Sequence, residues 1–127
     1  MPHKPASEFA TEYEQARTIS HFLDELDMGI RAANQEIIHG RIPDLDREKA
    51  FVFATMVARL RTDYLEAAFR HCTHSTHPTQ EDIEELRAKR LSYEEARDAF
   101  QALRHAIESG YIDIAQMSSA AGRTAAE

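Results

Sequence analysis

A chain of 127 residues is long enough to bury an apolar core as one domain, without disulfides or a structural metal to hold it together. Its formal charge of −7 sets the summed field against phosphate backbones and anionic membrane surfaces, so neither nucleic acid nor membrane is an expected partner. Twenty Ala against two Val, with one Cys, turn the intrinsic preference to helix and away from sheet, and leave no intrachain disulfide framework.

The first predicted helix runs from about Ser7 to His39. Phe9, Ala16, Leu23, Ile30 and Ile37 recur every seven residues, and Ile19, Leu26 and Ala33 follow three places after the middle members. This a/d repeat makes a continuous apolar seam, and a helix of that length must lie against another long helix to bury it, with Leu23 an expected core residue. The e and g positions lack the charge pattern that zips a free two-stranded coiled coil, which favours a globular bundle over a rod. Ser7 is a candidate N-cap ahead of Glu8. Gly29 costs about 1 kcal/mol relative to Ala in a helix interior. Gly40 suits a left-handed stop, and Pro43 forbids simple continuation.

Gly40 to Leu45 then makes a short connection, and Asp44 and Asp46 are both candidate N-caps for a second helix from about Asp46 to His71. That helix carries two apolar stripes. Phe53, Val57, Leu60, Tyr64 and Ala67 form one, with Leu60 an expected core residue; Phe51, Ala54, Ala58, Leu65, Ala68 and Cys72 form the other; Val52, Met56 and Phe69 widen the zone further. A helix apolar nearly all round is a central helix or an oligomer contact. Phe51, Val52, Met56 and Phe69 are the expected interaction face. A cofactor pocket lined by Phe51, Phe53 and Met56 is the functional alternative to plain packing.

A polar link, Thr73 to Pro78, precedes a capping box of Thr79 and Asp82, which opens a third helix to about Arg90 resting on Ile83, Leu86 and Leu91. Ser92 and Glu95 read as a second box, opening a fourth helix with Ala96, Phe100, Leu103 and Ile107 on its buried stripe and Gly110 at its end. The two are alternatively one kinked helix. Tyr111, Ile112, Ile114 and Met117 are expected to dock as a last turn. Residues 118–127 have no large apolar side chain and are expected to form a mobile tail behind a domain of residues 1–117. No window approaches the ~18 consecutive apolar residues of a membrane span, and Met1 to Phe9 lack an apolar signal region, so the default expectation is a cytoplasmic protein.

The most concentrated reactive chemistry is the cluster of His71, Cys72, His74 and His77. Imidazole and thiolate at this density suit zinc or another late transition metal. Against that stands a plainer account, in which His near a helix C-terminus meets the dipole and Cys72 extends an apolar stripe. Glu36 and His39 make one Glu-x-x-His pair, half of what a ferritin-like dinuclear site needs. His21 and Glu25, four residues apart, are expected to face water. Arg59, Arg61, Asp63 and Glu66 either line an anionic-substrate pocket or pair with neighbouring helices. The stretch ending Gly-Tyr-Ile-Asp lacks the carboxylates of a calcium loop. No phosphate-cradling glycine loop, nucleophile elbow or Cys-x-x-Cys is present, and no acid, base or nucleophile constellation marks an enzyme.

The expected fold is thus an all-α antiparallel helical bundle, built on a long hairpin of the first two helices with two shorter helices packed across it. The expected role is a small interaction, regulatory or accessory module, a homo-oligomer or the partner of another helical protein. A metal-binding or metal-sensing protein using His71 to His77 is the alternative.

Overall fold

The structure, a computed structural model, describes residues 6–74, 76–114 and 117. Its regular elements are three α-helices, α1 (Ala6–Arg41), α2 (Arg47–His74) and α3 (Gln80–Glu108). The expected tail at 118–127 lies outside the described residues, as do residues 1–5. No helix among the described residues is long and apolar enough to cross a membrane.

The caps explain most of the boundaries. Asp46 is the N-cap of α2: its Oδ1 accepts the backbone N–H of Lys49 at 2.8 Å, and the residue is only 1% exposed. Thr79 and Asp82 close the expected box at α3, with Asp82 N–H donating to Thr79 Oγ1 at 3.1 Å and Thr79 N–H to Asp82 Oδ2 at 2.9 Å. At the other end of α3, Tyr111 N–H reaches Ala106 O at 2.9 Å and Gly110 N–H reaches Ile107 O at 3.1 Å. This double bond pattern is a Schellman motif, and it holds Gly110 at φ +75, a conformation in which a Cβ is strained.

Four boundaries differ from expectation. Ser7, the expected N-cap, lies inside α1, which already includes Ala6. α2 runs past His71 to His74 and takes in Thr73 of the expected link. The other two boundaries shift for a clear reason. Gly40 does not stop α1, which continues to Arg41; Ile42 N–H still donates to Ile38 O at 2.8 Å. Pro43 ends the helix instead, because it lacks the N–H and disfavours helical geometry in the residue before it. The expected third and fourth helices are one continuous α3. Nothing between Arg90 and Ser92 breaks the backbone, and Leu86, Tyr93, Phe100 and Ile107 keep one heptad phase across the proposed break, all half-buried.

The close helix pair is α2 with α3, and α1 packs along neither to a comparable extent. The architecture is therefore a helical hairpin of α2 and α3 with α1 attached at one end, and not a bundle built on a hairpin of the first two helices. The first stripe of α2 fills the α2–α3 interface. Val57 and Ala67 are 4% and 1% exposed, Leu60 is half-buried, Phe53 meets Phe100 with ring centroids 5.5 Å apart, and Tyr64 stacks on Tyr93 at 6.5 Å. Ala96 of α3 closes the same layer.

α1 buries none of its residues. Every position from Ala6 to Ala33 is exposed, including Leu23 at 50%, and Asn34 and Ile38 alone are half-buried. Only its C-terminal end is held. Gln35 Nε2 donates to Gly110 O at 2.7 Å, Arg31 lies so close to Gly110 that an added Cβ there would meet its Nε at 3.2 Å, and Ile38 and Ile42 line a cleft of about 80 Å³ with Pro43, Tyr111, Ile112 and Met117. Met117, 7% exposed, is the anchor of the expected docking segment, whereas Ile114 is exposed.

Candidate functional site

The His71 cluster straddles the end of α2 and the link to α3. His71 turns toward α3, its side chain 14% exposed, with Nδ1 at 3.3 Å from Asp82 Oδ1 and Nε2 at 3.6 Å from Glu85 Oε2. The second distance is too long for a hydrogen bond, so Nε2 is buried without one. Glu85 is also paired with Arg70. Cys72 is an exposed free thiol; it shares the wall of a shallow depression with Ala68, His71, Thr76, Pro78 and Leu86. His74 ends α2 and His77 lies in the link, both exposed. Among the described residues no three His, Cys, Asp or Glu side chains stand where they would hold one ion. What the arrangement does do is tie α2 to α3: the imidazole sits between two carboxylates of the facing helix, beside the α3 cap.

Asp82 is the electrostatic centre of that tie. Its carboxyl is held below its ordinary value near 3.8, chiefly by the Thr79 backbone N–H; desolvation, the next largest effect, opposes this, and the Thr79 hydroxyl and the charges on His71 and Arg70 add further lowering.

A second polar contact was not foreseen from the sequence. Arg61 and Arg97 place their guanidinium carbons 5.3 and 5.5 Å from the centre of the Tyr93 ring, and Arg61 Nε donates to Tyr93 Oη at 3.3 Å. The hydrogen bond from Arg61, followed by charge on both arginines, lowers the pKa of the Tyr93 hydroxyl. The spacing of Arg61 and Tyr64, one turn apart on α2, was the available signal, but it gains meaning only once Tyr93 is known to face them. Of the four charges beside the apolar helix, Arg61 thus braces α3. His21 and Glu25 pair at 2.9 Å in open solvent, as expected.

The larger feature is apolar. Phe51, Val52, Met56 and Phe69 are all exposed, Phe51 to 73% and Phe69 to 67%. Phe51 and Phe69 lie on the side of α2 opposite the Val57 and Ala67 stripe, with Ala58 and Leu65 beside them, while Val52 and Met56 lie on the other flank of the helix. The supposed pocket of Phe51, Phe53 and Met56 is not assembled, because Phe53 points into the α2–α3 interface and the other two point out. No protein-family model, curated protein or solved structure matches the chain.

Proposed function

We propose that the chain is a helical interaction module that joins helical chains, its own copy first, through the outer face of α2. One observation carries this reading. The chain exposes 10270 Å², whereas a compact monomer of its mass exposes about 6,900 Å² by the size scaling of folded proteins. Granting the eighteen residues outside the description the full area of an extended chain, about 2,600 Å², and the described residues the roughly 6,250 Å² of a compact body of their own mass, still leaves an excess of roughly 1,400 Å². A stable interface takes about 800 Å² from each partner, so the excess, shared between α1 and the outer side of α2, is large enough to supply one. Phe51, Val52, Met56 and Phe69 are the anchors of the proposed contact, since aromatic and Met side chains dominate the buried centres of such surfaces.

The test is mass in solution. Light scattering after gel filtration is expected to give a dimer or larger at tens of micromolar. Phe51→Glu combined with Phe69→Glu is expected to lower that mass while leaving the helical circular dichroism in place, because neither side chain contributes to the α2–α3 core. An unchanged mass in the double variant would remove α2 as the contact.

A further inference from the structure

We infer that α1 carries a second, independent docking surface, and that its occupant is α1 of another copy lying antiparallel to it. The inference rests on the reading of the chain as a self-associating module, but it concerns a different helix and stands or falls by a different measurement.

The first support is where the body touches α1. The contacts fall on Arg31, Gln35, Ile38, His39 and Ile42, which are the b, c and f positions of the heptad. Those positions lie beside and behind the a/d seam. The seam therefore faces solvent along its whole length, with Phe9, Ile19, Leu23, Leu26, Ile30 and Ile37 all exposed.

The second is the order of residues within the seam. From Ala16 to Ala33 it reads Ala16, Ile19, Leu23, Leu26, Ile30, Ala33, the same in both directions. A two-fold axis passing between Leu23 and Leu26 places Leu23 against Leu26 of the second copy, Ile19 against its Ile30 and Ala16 against its Ala33. The two-fold pairs every position with its mirror, as in any isologous contact, and the palindromic order adds that each layer meets side chains of its own size.

The flanks agree. The same register sets Tyr13 beside Asn34 of the second copy, Ser20 beside its Asp27 and Gln15 beside its Glu36, so no like charges meet. Phe22 falls beside the second copy's Gly29. Within one chain Gly29 has no neighbour that a side chain would touch, and its helix penalty goes unexplained; in the pair it is the space into which Phe22 fits. A parallel pair would instead oppose Glu12 to Glu12 and Phe22 to Asp27, and would set two acidic bodies side by side. Glu12 meets Ile37 in the antiparallel register, at the margin of the seam.

Disulfide trapping decides orientation and register together. In the full chain with Cys72→Ser, Ala16→Cys and Ala33→Cys are made separately and oxidised alone and mixed, each with and without Phe51→Glu and Phe69→Glu to disable the α2 contact. The antiparallel pair yields covalent dimer only in the mixture, because only positions 16 and 33 approach within disulfide reach, and it does so in both backgrounds. Cross-linking of either variant alone, or none in the mixture, overturns the inference; α2-dependent mass remains a separate readout. As a second check, Gly29→Leu is expected to raise the dissociation constant of the α2-disabled chain roughly tenfold or more, by overfilling the Phe22 site, without lowering helix content. An unchanged constant overturns the assigned register.

Discussion

Asp82 serves two elements at once, capping α3 through Thr79 and facing His71 of α2. Its folded pKa lies below its ordinary value near 3.8, so between the two values the unfolded chain binds more protons and stability rises with pH. The contribution is complete above the ordinary value and is lost as pH falls through the folded one. Thermal melts from pH 6 downward are expected to show this acid loss, and Asp82→Asn, which keeps an acceptor for the Thr79 N–H but cannot titrate, is expected to make it shallower. An identical acid profile in the variant would mean that Asp82 is not the group responsible.

At the scale of elements, α1 and α2 differ in what their apolar residues contact. Val57 is buried against α3, so Val57→Ala is expected to cost about 2 kcal/mol by lost burial and an incompletely filled cavity, at any protein concentration. Leu23 is half exposed within one chain, so Leu23→Ala is expected to leave the melt of dilute protein unchanged and to lower it only where chains associate. Urea melts across a hundredfold range of concentration separate the two; a concentration-independent loss at Leu23 would place it in an internal core. The same contrast explains what could be read in advance. The seam of α1 is visible because period alone reports that a helix needs a partner, but period does not report whether that partner is in the same chain, so the sequence points to a hairpin of α1 and α2 where the structure pairs α2 with α3. The stripe of α2 from Phe53 to Ala67 was legible as core since two stripes on one helix leave one for the nearest neighbour. Ser92 and Glu95 resembled a cap because their spacing is right, yet a cap acts only where the preceding turn has ended, and the heptad from Leu86 to Ile107 shows that it has not. In the His71 cluster, proximity in sequence was read as a possible shared ligand; the helix instead turns His71 toward Asp82 and leaves Cys72 outside.

Among the described residues the buried core is small for the length of the chain, and in the proposed assembly contacts made only between copies would raise the melting temperature by mass action. Its geometry depends on a small fastening. From Ala6 to Ala33 α1 extends for about 42 Å, while Gln35, Arg31 and the Ile38 cleft secure it around Gly110. Mechanically this is a lever with its pivot near one end, and a tilt of about 10° at Gly110 would sweep the free tip through roughly 7 Å, more than one helical turn of about 5.4 Å. Gly110→Val would strain the positive φ and press on Arg31, so small-angle scattering of the dilute chain is expected to show a broader distribution of end-to-end distances; an unaltered profile would locate the pivot elsewhere. In the proposed assembly, the width of a single turn's backbone at residue 110 thus sets the angle at which one copy presents itself to the next.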